Sequence, residues 1–205
     1  RQEIAVVEVN GRRVVGRVRL GGPCRHLSID RDGSRLWAAL GSKAAAIAVV
    51  SLAEPRRPRV VRTVRPPFLA HDVGFAPDGL RVWVTSGDRD RLAIYDPRSG
   101  RLVRTLRGDA PPQHVTFMGD RAFVTSGDDA LLRVHALDGR LLRSAPVPVG
   151  SYNVQRSDDD ARVRRWILTP SLSRGTLCTF SPRGVALDEL RVAKSSHDAC
   201  FIVGT

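Results

Sequence analysis

The sequence predicts an all-β fold, a β-propeller of four-stranded antiparallel blades, and three observations predict it. The chain repeats itself with a period of about 40 to 45 residues. Each unit carries four short apolar stretches separated by turn residues. No segment keeps the helical period of about 3.6 residues over three turns. A single sheet of this kind cannot bury both of its faces, so such units stack on their neighbours around an axis.

The shared Thr-Ser-Gly-Asp tetrads that start at Thr85 and Thr125 set the register of the repeat. Residues 1–20 read as half a blade, two strands around an Asn10-Gly11 turn. Full blades are expected over residues 21–65, 66–109, 110–150 and 151–194, the last of them degenerate. In the best-formed unit the strands fall at residues 73–75, 80–85, 92–95 and 102–106. Asp78-Gly79, Ser86-Gly87-Asp88, and Pro97 with Gly100 supply the turns between them. The first unit repeats this chemistry with Asp32-Gly33 and Gly41-Ser42, the third with Gly119-Asp120 and Asp138-Gly139. Residues 195–205 read as a second half blade, because 195–201 (SSHDACF) matches the opening stretch 69–75 (LAHDVGF). Closing a five-blade ring would take its second strand from the short stretch 202–205, a poor fit, so the expectation is a larger ring that has lost N-terminal blades.

Three stretches of the second unit carry a family resemblance. They are Ala76-Pro77-Asp78-Gly79, Val82-Trp83-Val84-Thr85-Ser86 and Leu92-Ala93-Ile94-Tyr95-Asp96. In this order they resemble the YVTN-type β-propeller repeat, and the likeness extends over essentially the whole chain, weakly in the fourth unit. Ser86 and Ser126 stand where that family carries Asn, and residues 151–166 lack its usual turn. The resemblance implies a WD40-like propeller, often of about seven blades, that is secreted or periplasmic. Similar propellers include surface proteins, lactonase-like enzymes and heme-binding domains, so the resemblance predicts fold more sharply than chemistry. The expected function is an extracytoplasmic binding or interaction scaffold with a polar channel. The alternative is a lactonase-like hydrolase or a lyase acting at the channel mouth.

Charge narrows the partners. The formal net charge is +12, from 33 basic against 21 acidic residues, and every basic residue except Lys43 and Lys194 is arginine. That skew is what GC-rich coding produces. Arg17, Arg62, Arg104 and Arg143 fall in the last strand of successive units, where charge on a sheet edge discourages edge-to-edge pairing. Nucleic-acid binding calls for a clustered basic stripe with stacking aromatics, and aromatics make up only 5% of the chain, so no nucleic-acid partner is expected. No apolar run approaches the roughly 18 to 20 residues of a membrane span. Cys24, Cys178 and Cys200 form no CxxC pair, which argues against a thiolate zinc site.

Histidine placement is the strongest chemical signal. Four histidines, His26, His71, His114 and His197, lie in the opening stretch of a unit, the strand that lines a propeller's axis. Aligning the core-facing pairs Leu27/Ile29, Val73/Phe75, Val115/Phe117 and Ala199/Phe201 puts His26, Asp72, His114, Asn153 and Asp198 at equivalent positions. Strand alternation adds Ser28, Gly74, Thr116, Gln155 and Cys200 to that polar face, and turns His71 and His197 the other way. These five residues are the expected ligand-binding set, for a small molecule or a protein. His26, Asp72, His114 and Asp198 suit a divalent metal; the competing account is that they hydrogen-bond water and neighbouring backbone. His26 or His114 could act as general acid or base, although the sequence shows no partner for either. GxSxG, HExxH and phosphate-cradling glycine loops do not occur. Ser86-Gly87-Asp88 and Ser126-Gly127-Asp128 read as turns whose carboxylates cap backbone, and Asp158-Asp159-Asp160 as a solvated turn rather than a calcium loop. Trp37, Trp83 and Trp166 read as packing between blades.

Overall fold

The computed structural model describes residues 2–41, 46–157 and 165–201. Eighteen strands and no helix occur among them. A hairpin of β1 (Glu3–Glu8) and β2 (Arg13–Arg19) is followed by four antiparallel sheets, each of four strands. The first holds β3 (Cys24–Ile29), β4 (Arg35–Leu40), β5 (Ile47–Ser51) and β6 (Arg59–Val64). The second holds β7 (Ala70–Phe75), β8 (Val82–Ser86), β9 (Arg91–Tyr95) and β10 (Leu102–Arg107). β11 (His114–Met118), β12 (Arg121–Thr125), β13 (Leu131–Ala136) and β14 (Leu141–Pro146) form the third. The fourth holds β15 (Gln155–Arg156), β16 (Ile167–Ser171), β17 (Thr176–Phe180) and β18 (Ala186–Arg191). The opening strands β3, β7, β11 and β15 touch in sequence, as the inner strands of a propeller do, and the described sheets do not close into a ring.

Apolar side chains between successive sheets hold the stack together. Trp37, Ile47 and Val49 of the first sheet pack with Val73, Val84 and Tyr95 of the second. Trp83 and Ile94 then pack with Val115, Phe117 and Val124 of the third. Phe123, Leu132 and Val134 of the third pack with Ile167, Cys178 and Phe180 of the fourth. Polar groups are shared across the same seams. The buried Thr85 hydroxyl donates to the Gln113 carbonyl at 2.6 Å, and the buried Thr125 hydroxyl repeats this to the Tyr152 carbonyl, also at 2.6 Å. Each tetrad threonine therefore ties its sheet to the segment that leads into the next inner strand. Trp166 is only half-buried, its ring 6.4 Å from that of Phe201.

Four local expectations need correction. Arg12, not Gly11, takes the left-handed conformation in the first hairpin, at φ 47°. Leu27 and Ile29 are not core residues: they are 49% and 47% exposed. The β1–β2 hairpin packs Val18 and Leu20 on Leu36, Ala38 and Val50, so that side of β3 has no neighbouring inner strand to cover it. Residues 195–201 form no strand, and the stretch expected to pair with them, 202–205, lies outside the described residues. In the third sheet the capping carboxylate is Asp129, which accepts from the Ser126 hydroxyl and the Leu131 amide, while Asp128 accepts from the Tyr152 hydroxyl at 2.9 Å. Ser42 and the Asp158-Asp159-Asp160 run also fall outside the described residues.

Two turn glycines separate backbone strain from crowding. Gly79 (φ 68°) has open space where a Cβ would stand, whereas at Gly184 (φ 73°) that atom would meet Val134 Cγ2 of the preceding sheet at 2.4 Å. Gly79→Ala is expected to cost about 1 to 2 kcal/mol, the left-handed penalty alone. Gly184→Ala should cost at least about 1 kcal/mol more, because the seam must also open. Urea denaturation of both variants measures the difference; equal losses would refute the crowding argument.

Candidate functional site

The inner strands begin irregularly, and this builds the site. In β3 the pairing runs Cys24↔Leu40 then His26↔Ala39, and in β7 it runs Ala70↔Ser86 then Val73↔Val84. Each strand thus carries one residue more than its partner. Such a bulge breaks the two-residue alternation and re-aims the side chains around it. His71 consequently joins His26 and His114 instead of facing away from them. The His26 and His71 rings stack at 5.2 Å, and both meet the His114 ring edge-on, at 4.9 and 5.0 Å. His197 also lies on this side, its ring 6.4 Å from that of His114.

Asp72 is the centre of the cluster. One carboxylate oxygen accepts the Val73 amide at 2.8 Å and lies 3.8 Å from His26 Nδ1. The other accepts the Val115 amide at 3.2 Å and faces His114 Nδ1 at 3.3 Å. One side chain therefore joins the inner strands of three sheets. Asn153 and Asp198, the other two residues predicted for this row, pair with each other: the Asn153 amide donates to Asp198 Oδ1. Asp198 also holds His197 Nδ1 at 2.9 Å, and Gln155 donates to Asn153 at 3.2 Å.

Environment sets the charges. Burial pulls the His71 pKa down to about 3, helped by the positive charges of His114, Arg25 and His26, so its ring is neutral at pH 7. Burial also lowers His26, with Asp72 opposing and His114 and Arg25 reinforcing the shift. Burial alone would raise Asp72, but its hydrogen bond with His114, the nearby histidine charges and the Val115 amide hold it below the usual carboxylate range. The site thus contains an ionised carboxylate among imidazoles. The pairing with Asp72 also gives His114 the carboxylate partner that the sequence did not reveal.

The fifth histidine lies elsewhere. His135 is buried on β13 beside Trp83, with Nδ1 3.2 Å from the Gly139 carbonyl and Nε2 without a partner. Burial lowers its pKa; the Gly139 hydrogen bond opposes this and the Arg133 charge adds to it. The unfolded chain takes up this proton near pH 6.5, before the folded chain does. Its contribution is therefore complete above that pH and is lost as pH falls toward the folded value, at up to about 1.4 kcal/mol per pH unit. His135→Phe should flatten the dependence of urea-denaturation stability on pH below 6.5, and an unchanged slope would contradict this assignment.

Sheets stacked on successive inner strands define a β-propeller-like protein. No protein-family model matches the chain. Solved structures share its architecture, two of them as follows. A functionally unknown protein from Desulfotomaculum acetoxidans DSM 771 superposes with a TM-score of 0.77 at 12% identity, over 95% of this chain and 64% of that one. Hydrazine synthase from Kuenenia stuttgartiensis superposes with a TM-score of 0.71 at 16% identity, over 96% and 62%. At these identities the likeness shows the fold alone. By sequence the chain is similar to Protein NEDD1 of Mus musculus, 28% identical over 127 residues, and of Homo sapiens, 27% identical over 127 residues. Each alignment covers 62% of this chain but only 18% and 19% of the relative, so the chain spans a small part of those proteins.

Proposed function

We propose that this chain is a β-propeller interaction scaffold that binds a protein segment on the concave face of its inner strands. One observation carries the reading: a cavity of about 920 Å³ opens between β3, β7 and β11. Leu27, Ile29 and Phe75 give it an apolar lining, with Arg31 toward the β3 end and the Asp72 carboxylate on β7. The NEDD1 similarity supports a protein partner. With a net charge of +12, the complementary occupant is a peptide alternating acidic and apolar residues.

The test uses a fluorescently labelled Glu/Leu peptide and its Lys/Leu counterpart in an anisotropy titration with chelator present. Expected are saturable binding of the acidic peptide alone, weakening with salt, and a loss of about tenfold on Arg31→Glu, which is about 1.4 kcal/mol. Equal binding of both peptides, or none of either, would overturn the reading. The resemblance to YVTN propellers supports a secreted or periplasmic location, to be checked by fractionating cells that express the full-length gene. The hydrolase or lyase alternative draws on the His114–Asp72 pair, which has the form of an oriented general base. It requires saturable turnover of lactones that His114→Ala abolishes.

A further inference from the structure

We infer that His26, His71 and His114 form a binding site for a borderline divalent cation such as Zn²⁺, with Asp72 as the carboxylate that orients His114 from behind. One donor atom from each of the three histidines lies within 4.8 Å of the others. Tetrahedral bonds of about 2.0 to 2.1 Å need donor atoms roughly 3.3 Å apart. Side-chain rotations that bring each ring about 1 Å inward supply the difference, and the bulged starts of β3 and β7 already aim two of the rings together.

The surroundings distinguish ligands from supports. Metal-bound imidazoles commonly give their second nitrogen to a carboxylate, which fixes ring orientation and tautomer. Asp72 holds Nδ1 of His114 at 3.3 Å, leaving Nε2 of that ring for the metal, and lies 3.8 Å from Nδ1 of His26. Its own oxygens are already engaged by the Val73 and Val115 amides, so it serves the site from behind. His71 Nδ1 lies on the Gly87 side of its ring, 3.3 Å from the place a Cβ there would take, where the missing side chain leaves the imidazole room to turn toward the cation. Asp198, expected from sequence as a ligand, pairs with Asn153 and His197, and the donor atoms that converge are those of His26, His71 and His114. Imidazole ligates in its neutral form, so a bound dication beside the Asp72 carboxylate keeps one net positive charge. Arg25 works against the cation and Asp198 for it. Three histidine ligands leave a fourth position open to water or to a donor from a partner.

This inference does not rest on the scaffold reading, whose peptide test is run in chelator. The experiment here is equilibrium dialysis of the chelator-stripped chain against Zn²⁺, with X-ray absorption on the loaded protein. One zinc per chain and three imidazole ligands are expected. His71→Ala and His26→Ala should each weaken binding at least 100-fold, and Asp72→Asn about 10- to 100-fold. If circular dichroism shows His71→Ala unfolded, the half-exposed His26→Ala decides the matter. Absence of stoichiometric uptake, fewer than three imidazoles, or unchanged affinity in His26→Ala would overturn the assignment. So would loss of binding in Asp198→Ala together with its retention in His71→Ala.

Discussion

Replacing Trp83 with alanine is expected to lower the unfolding free energy by about 3 to 5 kcal/mol, as large-to-small changes at fully buried aromatics do. The indole is wholly buried in the seam between the second and third sheets. It meets the Phe117 ring edge-on at 5.9 Å and the His135 ring at 5.7 Å, so its removal strips contacts from two strands of the third sheet, β11 and β13. The neighbours on β9 and β12 are held by their own ladders and cannot collapse into the gap. Trp83→Phe serves as the control. The Trp83 Nε1–H is buried without an acceptor, and an unmet donor costs about 1 to 3 kcal/mol, so phenylalanine removes a penalty along with some packing. Its net loss should be well under half that of alanine. Chemical denaturation of the two variants, followed by far-ultraviolet circular dichroism, tests the pair; equal losses would mean that the indole's volume contributes little.

The same tryptophan shows what the sequence could reveal. Its recurrence with Trp37 at matching positions of the second strand, four strand-sized stretches per unit, and Gly at Asp-Gly turns all follow from local chemistry that a periodic chain repeats. The histidine cluster does not. Alternation places His26, Asp72 and His114 on one face, and the structure brings these three together. It fails for His71 because one added residue in β7 carries no compositional mark, and the adjacency of His71 to Asp72 was the only cue available. Leu27 and Ile29 mislead for another reason. Their pattern is that of a core strand, but burial depends on a neighbouring inner strand, and the β1–β2 hairpin does not supply one. The pairing of Asn153 with Asp198, 45 residues apart, depends on how the fourth unit meets the following segment, which no local pattern encodes.

Asp72→Ala is expected to cost the metal-free protein about 3 kcal/mol, and to do so by loosening the joint between sheets rather than by emptying a core. Removing the carboxylate leaves the Val73 amide, the Val115 amide and His114 Nδ1 without their acceptor, and each orphaned donor costs about 1 to 3 kcal/mol. Water can enter beside the half-buried His26, which holds each loss near the lower end of that range. Asp72→Asn keeps one acceptor oxygen and should recover about a third of the loss, whereas recovery of nearly all of it would mean that charge on the carboxylate contributes little. A stack of sheets owes its cooperativity to such nearest-neighbour terms. The urea transition of Asp72→Ala should therefore broaden, with a smaller m-value than that of Trp83→Ala, as the first sheet begins to unfold apart from the third. A double-mutant cycle with His114→Ala isolates the shared term. Coupling of at least about 0.5 kcal/mol is expected for residues in direct contact, and strict additivity would show that Asp72 acts through the backbone amides alone.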